Sequence, residues 1–185
     1  MNLEVALAEK NCKDDSVKLV LETQNLNGQL IEVEGTYRLY RVKDQFKNEL
    51  EQTPVITGTF ISNREMMVDW KNVPSGAYKL KMSVIDNRGK EMTAEANTVL
   101  FSKDDKHPPI QIPIWIYEHE TKFDETHPAV FYVGSSNRDA YVLMDVFANT
   151  GLLESRKLNL SDSIVRFEYP YQSNYGDGIV VNLCV

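Results

Sequence analysis

The residue types that could hold a metal ion are concentrated in one stretch of the chain. Two of the three histidines, His119 and His127, flank acidic residues at Glu120, Asp124 and Glu125. Zinc sites usually place their ligands at closer spacing on a defined helix or strand, whereas these residues fall in a polar connection between strands. The pattern therefore favours a solvated loop, and no metal or cofactor is predicted.

A second candidate metal site is the pair Asp86 and Asn87, whose side-chain oxygens could reach a calcium ion. Calcium requires several oxygen ligands, and the stretch 86–89 contains no acidic residue besides Asp86. The sequence Asp-Asn-Arg-Gly is instead typical of a tight turn, which is the interpretation that we favour.

Nucleophilic catalysis needs a serine or cysteine beside a positioned base, and the sequence offers no such pair. Residues 134–137, Gly-Ser-Ser-Asn, are typical of a strand end followed by a turn. The adjacent acids at 14–15 and 104–105 could do acid–base chemistry, but such pairs in polar segments usually serve as solubilising charge. No catalytic residue is predicted, and we do not expect an enzyme.

The two cysteines, Cys12 and Cys184, lie near opposite ends of the chain. They form neither a Cys-x-x-Cys motif nor a metal-ligand set. A disulfide between them would have to join two different domains. We therefore predict two free and mostly buried thiols.

Aromatic residues are the remaining candidates for binding. One hypothesis is a flat platform for sugars, formed by Trp70, Trp115, Tyr117, Tyr171 and Tyr175. The favoured alternative is that the two tryptophans fill the cores of β-domains, as large aromatic side chains commonly do.

Three tyrosines form the best candidate for a partner-facing surface. Tyr169, Tyr171 and Tyr175 surround a proline and a glycine turn, and aromatic residues are enriched at protein interfaces. They are the predicted interface residues of this chain.

The composition limits the classes of partner. The chain has 185 residues, of which 42% are hydrophobic and 25% charged, and its formal net charge is −7. Nucleic acids require clustered lysine and arginine, so no nucleic-acid partner is predicted. No apolar run approaches the roughly 18 residues of a membrane span, so direct membrane insertion is not predicted, and the N-terminus lacks a signal-peptide pattern.

The stretch 73–89 shows most clearly the pattern of alternating strands and turns that recurs along the chain. After a Pro-Ser-Gly turn, Tyr78, Leu80, Met82 and Val84 alternate with polar residues, which predicts a strand with one buried face. Lys79 and Lys81 are expected on the opposite, outward face. The whole unit is typical of the penultimate strand of a β-sandwich.

Similar strand patterns recur throughout the chain and indicate an all-β protein. The predicted strands cover residues 17–23, 35–42, 55–61, 65–70, 77–85, 92–101, 110–117, 129–134, 140–147, 152–160, 163–169 and 178–185. Turns are expected at 25–28 and 149–151, and the polar stretch 44–52 predicts one short helical turn.

A charged, proline-containing stretch divides this series into two tandem immunoglobulin-like β-sandwiches. Proline removes backbone donors and restricts its neighbour, which suits a hinge at 104–109. The first sandwich is predicted over 1–103 and the second over 110–185. Because its last apolar strand, 178–185, is followed by no partner strand, the second is expected to lack its last strand at the C-terminus.

Several stretches resemble the macroglobulin-type domains of bacterial alpha-2-macroglobulin-like proteins. They are residues 73–78 with Asp86 and Gly89, residues 113–117, residues 141–144, and residues 169–171 with 175–178. The resemblance implies a non-enzymatic structural module of a large protein that is secreted or envelope-anchored, hence extracytoplasmic, and that inhibits endopeptidases by trapping them. The implied partners are neighbouring domains of the same long chain and a target protease.

The family's reactive thioester has no counterpart in this chain. The thioester cysteine of that family is followed by Gly-Glu-Gln or Leu-Glu-Gln, whereas Cys12 is followed by Lys-Asp-Asp and Cys184 by Val185. The resemblance thus implies a structural part of such a trap. The alternative is a carbohydrate- or cell-surface-binding immunoglobulin-like module of an adhesin, and a β-sandwich hydrolase is a weaker third hypothesis.

Overall fold

The protein consists of two compact β-structured units, residues 1–104 and 105–185. The computed structural model describes residues 2–86, 88–119, 122–176 and 178–184. Within these ranges the only helical segment is the single 3-10 turn Ser173–Tyr175, and no helix is long and apolar enough to cross a membrane. The all-β prediction is confirmed.

The described residues of the first unit form nine strands, named in chain order. They are β1 (Asn2–Ala6), β2 (Lys10–Cys12), β3 (Val17–Gln24), β4 (Glu34–Asp44), β5 (Glu49–Leu50), β6 (Ile56–Ile61), β7 (Glu65–Val68), β8 (Gly76–Ile85) and β9 (Glu91–Phe101).

These strands form a sandwich of two sheets. The smaller sheet has the order β1-β3-β7, and the larger has the order β2-β9-β8-β4-β5, with β6 also paired to β4. All of these pairs are antiparallel except β2 with β9, which is parallel. Apolar residues of β3 and β7 face those of β4 and β8 across one shared core.

Strand β8 has the register that its sequence predicts. The four alternate residues Tyr78, Leu80, Met82 and Val84 are at most 1% exposed and belong to the core. Lys81 lies on the outer face with its side chain 44% exposed. Lys79 lies on the same outer face, as predicted, although neighbouring side chains leave its own side chain only 15% exposed.

Side-chain hydrogen bonds to the backbone stabilise the turns of the first unit. Asn25 accepts hydrogen bonds from the backbone N–H groups of Asn27 and Gln29, and Asp86 accepts them from Arg88 and Lys90. Tyr78 donates its hydroxyl proton to the carbonyl of Pro74 at 2.7 Å, which ties the start of β8 to the turn before it. The predicted helical turn at 44–52 is wrong, because residues 45–48 form a turn that connects β4 to β5.

In the described part of the second unit there are six strands. They are β10 (Trp115–Glu118), β11 (Ala129–Ser135), β12 (Ala140–Ala148), β13 (Gly151–Leu160), β14 (Ser163–Tyr169) and β15 (Val180–Cys184).

Two three-stranded sheets make up this second sandwich. One has the order β10-β11-β14 and the other the order β13-β12-β15, and all neighbours are antiparallel. The core lies between Phe131, Val133 and Phe167 of the first sheet and residues of β12 and β13 in the second, including Val142 and Met144. The predicted turn at 149–151 is present, with Gly151 at a φ of 109°, a conformation that glycine adopts without strain.

Two predicted strands of this unit differ at their ends. The strand predicted at 110–117 begins only at Trp115; before it, the backbone N–H of Ile112 donates to the Ser136 hydroxyl at 2.7 Å. The last predicted strand is shorter, at Val180–Cys184, and is paired along its length with β12. Val185, its predicted end, lies outside the described residues, and the missing further strand stays a prediction.

The predicted hinge, 104–109, begins where the first unit ends. On one side of it, Lys103 donates its backbone N–H to the Asp14 carboxylate at 2.6 Å. On the other side, the carbonyl of Lys106 accepts a hydrogen bond from Ile164 at 3.0 Å, and the His107 ring contacts the carbonyl of Asp162. Flexibility of this segment stays a prediction.

Candidate functional site: an aromatic cluster in the second unit

Three aromatic rings from two loops meet in the second unit. Phe123 contacts Tyr171 edge-on, with ring centroids 5.3 Å apart and planes at 76°. On Tyr175 it lies nearly parallel, with centroids 6.4 Å apart and planes at 13°. All three residues are half-buried. We call Phe123, Tyr171 and Tyr175 the aromatic cluster.

The loop that carries Tyr171 and Tyr175 is held by backbone contacts. Tyr175 ends the 3-10 turn and donates its N–H to the carbonyl of Gln172 at 2.9 Å, while its own carbonyl accepts from Asn149 at 3.4 Å. Gly176 follows with a φ of 73°. A β-carbon at Gly176 would collide with the Asn149 side chain, so glycine lets the loop approach the β12–β13 hairpin.

Tyr169 does not belong to the aromatic cluster but packs against the core. Its ring stacks on Phe131 with centroids 5.9 Å apart and planes at 1°, and it packs against the core of the second unit. Its hydroxyl donates to the Glu154 carboxylate. Of the three predicted interface tyrosines, the structure therefore brings Tyr171 and Tyr175 together and assigns Tyr169 to core packing.

Burial and the bond to Glu154 raise the pKa of Tyr169 to about 12. The hydrogen bond from Tyr169 holds the pKa of Glu154 below its usual range. Both shifts stabilise the state in which the tyrosine is protonated and the glutamate is ionised.

We expect Tyr169→Phe to lower the free energy of unfolding of the second unit by about 1 kcal/mol at neutral pH, because a hydrogen bond to a carboxylate is lost. The folded-state pKa lies above the unfolded value of 10.0. The stabilisation is therefore complete below pH 10 and is lost as the pH rises through about 12. Denaturant unfolding at a series of pH values measures both effects.

The matched control is Tyr141→Phe, because Tyr141 is 51% exposed on the outer face of β12. This variant should unfold like the wild type at neutral pH and keep its alkaline loss of stability. An alkaline loss in Tyr169→Phe as large as that of the wild type would contradict the assignment.

The candidate metal ligands are engaged in a turn. The carboxylate of Asp124 accepts hydrogen bonds from the N–H and hydroxyl of Thr126 and from the backbone and ring of His127. These bonds, that from the His127 ring first, hold the pKa of Asp124 well below its usual range. Among the described residues, no three His, Cys, Asp or Glu side chains group as a metal site; Glu120 and Asn87 lie outside them.

The candidate nucleophiles also have structural contacts. Ser135 is fully buried, and its hydroxyl accepts the N–H of Asn137 at 3.1 Å. The Ser136 hydroxyl donates to the carbonyl of Ile112 at 2.9 Å. The two cysteines are free: Cys12 is buried, which raises the pKa of its thiol, whereas Cys184 is exposed, so its predicted burial is wrong.

The two tryptophans are unavailable for a sugar platform. Trp70 is 1% exposed within the core of the first unit, as predicted. Trp115 is fully buried, but its partner in the sheet is Gly134. Successive residues of a strand face opposite sides of the sheet. Val133 faces the core, so Gly134 and its partner Trp115 lie on the opposite face of the sheet.

Sequence reasoning missed Phe123. The signal that could have found it is that Phe123 is the one apolar residue of the otherwise polar stretch 118–127. A lone aromatic residue in such a stretch indicates a packing or binding role. The partner loop at 170–176 lies about fifty positions away in the chain, so only folding brings the rings together.

Two of the solved structures that this chain resembles illustrate the range. One is the crystal structure of a tetra-tandem repeat in the extending region of a large adhesion protein, at 12% identity and a TM-score of 0.38, covering 98% of this chain and 47% of that one. The other is the native conformation of Escherichia coli alpha-2-macroglobulin, at 11% identity and a TM-score of 0.38, covering 98% of this chain and 16% of that one.

This chain thus spans less than half the length of either chain. Likeness at this level says nothing beyond the β-sandwich architecture, which the strand pairing shows by itself. No protein-family model matches the chain, and no curated protein matches it.

Proposed function

We propose that this chain is a non-enzymatic structural module of a large extracytoplasmic protein of the macroglobulin type, whose parent inhibits endopeptidases by trapping them. The observation that carries the proposal is that candidate reactive side chains make structural hydrogen bonds. Several of the candidate groups stabilise turns or strand ends: Asp124 bonds to His127, and Ser136 bonds to Ile112. The sandwiches around them would act as spacers and supports.

The sequence resemblance supports the macroglobulin assignment over other β-sandwich proteins. The motifs that carry it occupy structural positions: Gly76 opens β8 at a φ of 155°, and Tyr78 bonds back to Pro74. These residues form the turn before β8 and the start of that strand, which pairs with β9 in a long hairpin. The proposed partners are neighbouring domains of the same chain and, through the whole parent, a protease.

The test is an inhibition assay with the parent protein. A trapped protease keeps its activity on a small peptide substrate and loses activity on a large protein substrate, because the shell excludes only the large one. We expect this split for the parent and its loss when residues 1–185 are deleted. Equal inhibition of both substrates, or no inhibition, would contradict the trap.

The second candidate is a cell-surface-binding module of an adhesin, which the aromatic cluster favours. Half-buried rings such as Phe123 and Tyr171 can stack on a sugar face. A glycan array with the full chain tests this function. Saturable binding that is lost in Tyr171→Ala and kept in Tyr141→Ala would favour it over the structural module.

A further inference from the structure

A row of hydroxyl side chains crosses the outer face of the larger sheet in the first unit. From β6 to β9 its members are Thr59, Thr36, Ser83 and Thr93, each paired with the next across the sheet. The neighbours of Ser83 along β8 belong to the core, so the row faces outward. The hydroxyls of Thr36 and Ser83 lie 3.1 Å apart and share a hydrogen bond. We call these four residues the hydroxyl row.

Three members of the hydroxyl row line a shallow cavity of about 410 Å³ on this face. Arg38 lies at one end of the cavity, and Glu34, Ile85 and Glu91 lie at the other. Arg38 and Glu34 are four residues apart on β4, so their Cα atoms are about 13 Å apart. The cavity is therefore elongated along the strands, with a cation at one end and carboxylates at the other.

The cationic end of the cavity carries more positive charge than this face neutralises. The register partner of Arg38 on β8 is Lys81, and like charges directly opposite each other destabilise a sheet. Lys79 adds a third cation to the same face, and the two lysines share one carboxylate, that of Glu95, at 3.4 and 3.3 Å. Within the described ranges no carboxylate pairs with Arg38. This excess occurs in a chain whose formal net charge is −7.

The carboxylates at the other end are also unpaired. Neither Glu34 nor Glu91 forms an ion pair with any residue that the structure describes. Elsewhere on this unit exposed charges pair with each other, as Lys18 does with Glu65 on the smaller sheet. The charged groups that border the cavity are therefore left available to a ligand.

An acidic sugar matches this order of groups. A carboxylate on the sugar would receive charge-assisted hydrogen bonds from Arg38 and Lys81. Sugar hydroxyls would exchange hydrogen bonds with the hydroxyl row, since each hydroxyl both donates and accepts, and would donate to Glu34 at the far end. The apolar side of a ring would contact Ile85, which is 65% exposed.

An acidic polypeptide matches the cavity less well. Its further carboxylates would approach Glu34 and Glu91 and be repelled by them. Its apolar groups would cover the hydroxyl row and leave those hydroxyls without partners, which costs free energy.

We propose that the outer face of the larger sheet in the first unit binds an acidic polysaccharide. A uronic acid residue places its carboxylate at Arg38 and Lys81, and the linked sugar lies over the hydroxyl row. The inference goes beyond the proposed structural role. It uses other residues than the aromatic cluster, so its failure or success is separate from that of either function proposed above.

Three matched probes test the chemistry of the ligand on the full chain. They are a trimer of galacturonic acid, the neutral trimer of galactose, and tri-glutamate as an acidic peptide. In calorimetric titrations we expect the galacturonate trimer to bind at least about tenfold more tightly than either of the others. It should also shift amide resonances of β4 and β8. Equal binding of tri-glutamate would show a general anion surface and overturn the polysaccharide assignment, as would equal binding of the neutral trimer.

Arg38→Thr tests the cationic end. We expect binding of the galacturonate trimer to weaken about tenfold or more, while the melting temperature stays the same or rises because a like-charge pair is relieved. Lys18→Thr is the matched control, since it removes one positive charge from the other sheet; its binding should stay within about twofold of the wild type. Equal losses in the two variants, or a lower melting temperature with unchanged binding in Arg38→Thr, would refute the proposal.

A double variant tests the hydroxyl row without changing charge. Thr36→Val with Ser83→Ala should weaken binding of the galacturonate trimer about fivefold or more and leave the weak binding of tri-glutamate unchanged. Full binding in this variant would show that charge alone is recognised and would contradict the proposed ligand. Tyr171→Ala, in the aromatic cluster, should bind the trimer like the wild type, and a loss there would place the binding site in the second unit instead.

Discussion

Replacing Leu80 by alanine should lower the free energy of unfolding of the first unit by about 2–5 kcal/mol. Leu80 is fully buried at the centre of β8, where its neighbours in the sheet are Leu39 of β4 and Ala96 of β9. The substitution removes apolar contacts and leaves a cavity that the packed strands can only partly fill. Thermal and denaturant unfolding of the full chain measure the loss.

Lys81→Ala is the matched control one position along the same strand. The Lys81 ammonium lies 3.3 Å from Glu95 with its side chain 44% exposed, and exposed ion pairs contribute little. A loss of about 0.5 kcal/mol or less is expected. Equal losses from the two variants would show that the register of β8 is not the one described here.

Gly35→Ala should destabilise the first unit by about 1–3 kcal/mol through overpacking. Gly35 lies on the inner face of β4 beside the ring of Phe60. A β-carbon there would be 2.5 Å from the carbonyl oxygen of Ser83 and 2.7 Å from Val84. Because one of these neighbours is backbone of the paired strand β8, the strands would have to separate. Unfolding in denaturant measures the effect.

Gly178→Ala is the control for this substitution. A β-carbon at Gly178 meets nothing within 4 Å, and the residue lies outside the regular strands. The variant should unfold within about 0.5 kcal/mol of the wild type. Wild-type stability in Gly35→Ala would mean that β4 and β8 are farther apart than the structure has them.

Strands with a clear alternation could be predicted from the sequence. β8 shows this most clearly, since its alternate residues Tyr78, Leu80, Met82 and Val84 are all buried in the core. In β14 the same alternation buries Phe167 but leaves Val165 37% exposed. Lys79 shows the limit of the pattern. The alternation predicts the face of the sheet on which Lys79 lies. The exposure of its side chain depends instead on neighbouring strands, since Glu95 of β9 lies 3.4 Å from the Lys79 ammonium.

Short strands that depend on distant partners could not be predicted. β2 has three residues and pairs in parallel with β9, nearly ninety positions away. The side chain of Asn11 donates to the hydroxyl of Thr98 at 2.8 Å, a contact that no local pattern encodes. β1 likewise becomes a strand through its antiparallel pairing with β3.

The sequence by itself determined the all-β class, the register of the long strands and the position of most turns, because alternation and turn chemistry are local properties. The tertiary structure decided which side chains share a site. It joined Phe123 to Tyr171 and Tyr175, placed Tyr169 on Phe131 and Glu154, and exposed Cys184. The physical reason is that such contacts depend on which strands pair across long loops, and the free energy of that pairing comes from the whole core.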